Sequence, residues 1–222
     1  MLGTFGIASK LSRDWTFLGR NVVSISKNKG LTTGEKLDER MQLGLAYRGT
    51  DDDRWNGLAR IEFRYETDDT QTEEIKRSTR LISTHWNYQA TKALVMNGRY
   101  AGKWVTDHTN GLNTTYDTHL ISARLTYDLT NRWDIALNAS TMFSRGFRDY
   151  QRGLGMEVGY ALTSNLWLSG GYNVFGYRED DLTGGDYTNR GPFLRLRFKF
   201  DEDLFGAKDS KVNNTLSPGG AR

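Results

Sequence analysis

The stretch Asn189-Arg190-Gly191-Pro192-Phe193-Leu194-Arg195-Leu196-Arg197-Phe198-Lys199-Phe200 decides how this chain is read. With a period of two, Leu194, Leu196, Phe198 and Phe200 fall on one face of a strand, and Arg195, Arg197 and Lys199 on the other. A soluble sheet buries such an apolar face in a core, whereas a membrane barrel turns it to hydrocarbon and keeps the cations in a wet interior. Alone, the stretch fits either, so the other strands must decide.

They repeat the pattern. In 55–66, Trp55, Gly57, Ala59, Ile61, Phe63 and Tyr65 oppose Asn56, Arg60, Glu62, Arg64 and Glu66. In 93–104, Leu94, Met96, Tyr100 and Trp104 oppose Asn97, Arg99 and Lys103, and in 120–128, Ile121, Ala123, Leu125 and Tyr127 oppose Ser122, Arg124, Thr126 and Asp128. In 133–143 and 153–161, Trp133, Ile135, Leu137, Ala139, Phe143, Leu154, Met156, Val158 and Tyr160 lie opposite Asp134, Asn138, Ser140 and Glu157. The apolar face carries almost no charge, as hydrocarbon would enforce at ~2–4 kcal/mol per misplaced cation.

A turn also repeats: Leu11-Ser12-Arg13-Asp14-Trp15, Leu129-Thr130-Asn131-Arg132-Trp133 and Leu162-Thr163-Ser164-Asn165-Leu166-Trp167. Ser, Thr, Asn and Asp bond their own backbone, which makes each a tight hairpin. Connections 48–54 and 89–92 complete one rim of short turns, while longer polar connections are expected at 27–39, 67–78, 105–117, 144–152 and 178–189. Strands are expected at 4–11, 15–26, 40–48, 55–66, 79–88, 93–104, 117–128, 133–143, 153–162, 166–177 and 190–200. The expected fold is all-β, an antiparallel up-and-down transmembrane β-barrel with eleven strands visible. Bacterial single-chain barrels have even strand numbers, so a twelfth strand is expected upstream. Residues 1–10 lack the basic and apolar regions of a secretory signal peptide, which points the same way.

Composition agrees. The 222 residues hold 24 Gly, 2 Pro and 12% aromatics, a mixture suited to long pleated strands. No apolar run approaches the ~18 residues of a transmembrane helix, and a mean hydropathy of -0.65 is compatible with strands that turn only alternate residues to lipid. Without cysteine there is no disulfide, thiolate nucleophile or zinc-thiolate site. A net charge of +3 from 30 basic and 27 acidic residues is too balanced to argue for nucleic acid.

The inner face collects Lys10, Arg20, Arg60, Glu62, Arg64, Glu66, Arg99, Lys103, Arg124, Asp134, Glu157, Arg195, Arg197 and Lys199. In a small barrel these charges meet and plug the lumen; the alternative is a narrow anion-preferring pore, since bases outnumber acids. Trp15, Tyr47, Trp55, Tyr88, Tyr127, Trp133 and Tyr160 stand at strand ends beside the short turns, where amphipathic rings would form a girdle at one membrane interface. His108 and His119 flank a connection containing Asp107 and Asp117, but no nucleophile motif accompanies them or His85. Asp51-Asp52-Asp53 lacks the glycine and distal glutamate of a calcium loop and reads as a solvated turn. Asp68, Asp69, Glu73, Glu74, Glu179, Asp180 and Asp181 read as solubilising loop charge, with cation bridging to lipopolysaccharide as the alternative. Residues 201–222 have no periodicity and are expected to form a disordered tail. No catalytic residue, cofactor or metal site is expected.

Arg190, Gly191, Leu194, Leu196, Phe198 and Phe200 resemble the C-terminal assembly signal of bacterial outer-membrane barrels, although there the aromatic usually ends the chain. Further motifs, Gln42-Leu43-Gly44-Leu45-Ala46-Tyr47-Arg48, Ser83-Thr84-His85, Ala101-Gly102-Lys103-Trp104, Leu154-Gly155-Met156-Glu157-Val158-Gly159-Tyr160 and Gly184-Gly185-Asp186-Tyr187, extend the likeness over residues 4–205. The chain resembles the C-terminal outer-membrane barrel module of large multidomain proteobacterial surface proteins. That resemblance implies a non-enzymatic anchor in the bacterial outer membrane. Its partners would be membrane lipid, lipopolysaccharide, the barrel-assembly machinery and upstream domains of the same polypeptide. An autotransporter-like translocator, a small pore and an outer-membrane hydrolase are the alternatives.

Overall fold

In the computed structural model, which describes residues 1–29, 33–70, 75–109, 111–145, 149–163, 165–176 and 190–198, every helix or strand element is a strand. They are β1 (Leu2–Lys10), β2 (Trp15–Lys29), β3 (Thr33–Arg48), β4 (Trp55–Asp68), β5 (Ile75–Gln89), β6 (Leu94–Thr109), β7 (Leu112–Asp128), β8 (Trp133–Ser144), β9 (Asp149–Ala161), β10 (Leu166–Phe175) and β11 (Gly191–Phe198). All eleven belong to one sheet in chain order, with β1 and β11 at its two ends. The fold is all-β and antiparallel, an up-and-down meander of the barrel class, as the alternation predicts.

The repeated turn motif sets the hairpins. Leu11 N–H donates to the Trp15 carbonyl at 2.9 Å, and Leu129 and Leu162 do the same to Trp133 and Leu166. In each, the following hydroxyl accepts backbone amides: Ser12 from Asp14 and Trp15, Thr130 from Arg132 and Trp133, Thr163 from Asn165. Thr91 plays the same part at the fifth to sixth strand turn, accepting from Ala93 and Leu94. A side chain that satisfies the turn amides stops the ladder at a defined residue, and the register follows from there.

The opposite ends depart from expectation. Among the described residues, connections 27–39, 67–78, 105–117 and 144–152 are largely strand: β2 reaches Lys29 and β3 begins at Thr33, while β4 reaches Asp68 and β5 begins at Ile75. β6 runs to Thr109 and β7 starts at Leu112, with Gly111 at φ 75° making the tight reversal that a side chain would strain. β8 ends at Ser144 and β9 starts at Asp149. Polarity marks these residues as solvated, but backbone pairing does not require an apolar face, so a hairpin can continue into water. β1 runs from Leu2 to Lys10 rather than over 4–11, β11 begins at Gly191 rather than 190, and β10 stops at Phe175. The connection 178–189, Lys199, Phe200 and the tail 201–222 lie outside the described residues.

Burial runs opposite to that of a soluble sheet. Along β8, Trp133, Ile135 and Leu137 are exposed while Asp134 and Ala136 between them are buried, and Leu137 keeps 45% of its surface against 1% for Asp134. The chain divides into two compact units. One spans 1–86, 99–121 and 142–150; the other spans 87–98, 122–141 and 151–222, as far as these residues are described.

Candidate functional site

In the first unit the inner face is organised by Glu62 on β4. Its side chain is almost wholly buried, with Arg64 Nε at 2.5 Å, Arg40 Nε at 3.6 Å and Arg60 at 4.0 Å, and it accepts a 2.8 Å bond from the amide of Gln42. Gln42 stands opposite Glu62 in the ladder, and Arg20 stands opposite Gln42. Three guanidiniums around one carboxylate leave this part of the face with more positive than negative charge. Arg60, Glu62 and Arg64 are thus brought together, joined by Arg40 and Gln42, which sequence reasoning missed. The signal was available: Gln42 shares a period-two face with Arg40.

The second unit has its own centre. The carboxylate of Glu157 on β9, 1% exposed, accepts a 2.8 Å bond from Arg124, a 3.3 Å bond from Arg195 and a hydrogen bond from Ser169. Arg124 also donates to Asn138 Oδ1 at 3.0 Å and to the Thr126 hydroxyl at 3.3 Å. Nearby in the same unit, Trp167 Nε1–H donates to Asp134 at 2.6 Å, and Arg197 lies over the Trp167 ring, 4.8 Å from its centre. A side chain at Gly159 would overlap that indole, so glycine is what lets Trp167 lie flat on the neighbouring strand. Arg124, Glu157 and Arg195 meet directly, whereas Asp134 and Arg197 meet through Trp167. Arg99 is exposed on β6, and Lys103 lies on the same face of that strand.

On the outer face the rings beside the short turns pair. Trp15 and Tyr47 are 4.9 Å apart, Trp133 and Tyr160 4.7 Å, and Trp55 meets Trp86 at 6.0 Å. Tyr127 is exposed and Tyr88 half-exposed; Trp86 is the aromatic that sequence reasoning passed over. On β11, Gly191 has φ 147°, a conformation that favours glycine, and Leu194, Leu196 and Phe198 are exposed.

His119 lies within β7, not beside a loop, and the first unit places it with Asp117. Its Nε2 is 2.8 Å from the Asp117 carboxylate and its Nδ1 3.0 Å from the Tyr100 hydroxyl. Both contacts are satisfied when Nε2–H donates to Asp117 and Nδ1 accepts from Tyr100. Phe143 stacks on the imidazole at 5.1 Å and Trp104 meets it edge-on at 5.3 Å. Both ring nitrogens are thus engaged within the strand face, and aromatic rings pack around the imidazole. His108 lies in β6 and bonds Asn113. Asp51, Asp52 and Asp53 face Arg13, the Arg54 amide and Arg48 respectively, and the described residues hold no group of three metal-ligating side chains.

No family model and no curated protein matches this chain. A solved structure of the NanC porin is similar to it at 13% identity and a TM-score of 0.40, over 90% of this chain and 98% of that one.

Proposed function

We propose that this chain is a non-enzymatic bacterial outer-membrane β-barrel, anchoring or displaying upstream domains of a longer polypeptide, with a lumen filled by its own charged side chains. The observation that carries the reading is the inverted burial: Glu62, Asp134 and Glu157 are each 1% exposed, while Ile61, Ile135 and Val158 on the same three strands keep 41–48% of their surface. Buried apolar area is worth about 25 cal/mol per Å², so a folded chain that leaves this face uncovered needs hydrocarbon against it. The eleven strands would close into an even-numbered barrel with one further strand from the longer polypeptide. Lipopolysaccharide would meet the outer rim, and insertion would use the assembly machinery addressed by the β11 signal.

A small anion-preferring pore is the second reading, favoured by the surplus of arginine around Glu62. The test of the main reading is gel migration of the chain refolded in detergent, with and without an added upstream strand. Unboiled protein should run faster than boiled protein and resist protease, most fully with the extra strand. Folding in plain buffer without detergent would sink the membrane reading.

A further inference from the structure

The charged inner face is interrupted by a group of apolar residues that the alternation of charges conceals. Leu81 on β5, Ala101 and Val105 on β6, Leu120 on β7 and Met142 on β8 are 0–6% exposed, and all belong to the first unit. Their parity places them on the inner face. Ala101 and Val105 fall in step with Arg99 and Lys103, Leu120 with Ser122 and Arg124, and Met142 with Asn138 and Ser140.

The turn bonds line up three of them, while the Ala90-to-Leu94 bond sets Leu81 opposite Lys103 and Val105 opposite Thr79. At the first hairpin the Leu11-to-Trp15 bond accompanies the pairing of Lys10 with Thr16, and the matching bonds Leu129-to-Trp133 and Asp128-to-Ala93 set β7 against its neighbours. Counting back from them brings Leu120 opposite both Met142 and Ala101. Cross-strand contacts agree with that count: His119 stacks on Phe143 and meets Tyr100, each one position away on the opposite face.

We infer that Leu81, Ala101, Val105, Leu120 and Met142 form an apolar collar inside the barrel that excludes water and blocks ions independently of the ion pairs around Glu62 and Glu157. This rests on the barrel reading above. A residue lining a water-filled path presents surface to that water, and Leu120 presents 0%. Apolar constrictions stop ions by dewetting, because an ion would have to shed its hydration shell with no polar group to replace it. The sheet therefore carries two kinds of closure on its inner face, a dry one of the collar and a polar one of paired charges.

Two measurements test the collar. In planar bilayers the wild-type chain and Glu62→Gln/Glu157→Gln should both be silent, because the collar alone blocks ions, and adding Leu120→Ser/Met142→Ser to that variant should give discrete ion-conducting steps. Steady current through the wild type, or through Glu62→Gln/Glu157→Gln with the collar intact, overturns the proposal. So does a folded combined variant that stays silent.

The second measurement holds even if the combined variant does not fold. Because the chain has no cysteine, single cysteines report cleanly. In the folded protein, Leu120→Cys and Val105→Cys should react with a charged, water-soluble maleimide at least about 100-fold more slowly than Asn113→Cys, the protection a core position gains when labelling needs local opening. Equal rates overturn the proposal. Absence of heat-modifiable migration in the wild type would instead count against the barrel reading on which the collar rests.

Discussion

Glu157 illustrates what a single inner-face residue is asked to do. Its carboxylate is fully enclosed and meets Arg124, Arg195 and Ser169, so removing it leaves two guanidiniums facing each other without a counter-charge. Breaking one partner out of a buried ion cluster costs about 3–5 kcal/mol, far more than the cluster contributes relative to a well-packed apolar substitute. Glu157→Ala should therefore lower the stability of the refolded barrel by about that amount, read from urea midpoints in detergent. Exposed pairs such as Lys27 with Glu35, at 3.2 Å, should contribute at most about 1 kcal/mol.

Asp14 works differently, at the rim of short turns. Its carboxylate accepts the Thr50 hydroxyl at 2.6 Å and the Thr50 amide at 3.0 Å, tying two turns together. These bonds, the hydroxyl first, hold its pKa below the usual 3.8. A depressed carboxylate stabilises the fold fully above its unfolded value and loses that contribution as pH falls through its folded value. In an acid titration of urea midpoints, the wild type should thus lead Thr50→Val by a constant margin above pH 3.8, and the margin should shrink below it. A margin that widened in acid would refute the assignment.

At the scale of one element, β8 puts the membrane reading proposed above to a length test. Trp133 stands at the short-turn end and Phe143 ten residues later, at the level of His119 and Trp104. Ten residues rise about 33 Å along a strand, and a tilt of about 45° would reduce this to about 23 Å across a membrane, close to the apolar band of outer-membrane barrels. The ring cluster around His119 therefore sits where a second girdle would be needed. Leu137 lies between the two levels and faces outward. Leu137→Arg should destabilise the refolded protein by about 2–4 kcal/mol, and Thr115→Arg, on the outer face of β7 past the His119 level, by only about 0–1 kcal/mol. Equal costs at the two positions would mean that no hydrocarbon slab covers this face. Beyond Phe143 and Trp104 the strands continue as polar hairpins, which explains why β6 and β7 run for 16 and 17 residues.

At the scale of the whole molecule, the meander has no crossover, so each strand is positioned by the turn before it and needs no long-range connection to find its place. The unresolved demand is at the two ends of the sheet. β1 is exposed along its full length, and Leu194 and Leu196 on β11 are exposed as well. Unpaired edge groups in hydrocarbon each cost several kcal/mol, which is why a spanning sheet must close. On the reading proposed above, adding one further strand at the β1 end should accordingly change folding as one cooperative step, seen as a sharper heat-modifiable transition on gels, rather than add a small local increment.

The alternation in the sequence was sufficient for the strand count, the up-and-down order and the short turns, because period two and hydroxyl-capped turns are local: Ser12 and Thr130 act on amides two and three residues away. The same alternation marked Glu62, Arg124, Glu157 and Arg195 as inner-face residues. It could not say which would meet, since Glu157 draws its partners from strands 33 and 38 residues away in the chain. It misjudged the far ends of the hairpins because polarity reports solvent, not backbone pairing. It also overlooked Leu120, an apolar residue on the wrong side of a charged strand, whose environment is set by Ala101 and Met142 across the ladder. Which residues face which medium was written in the local pattern. Which of them are brought together depends on register between strands distant in sequence, and only the tertiary structure decided it.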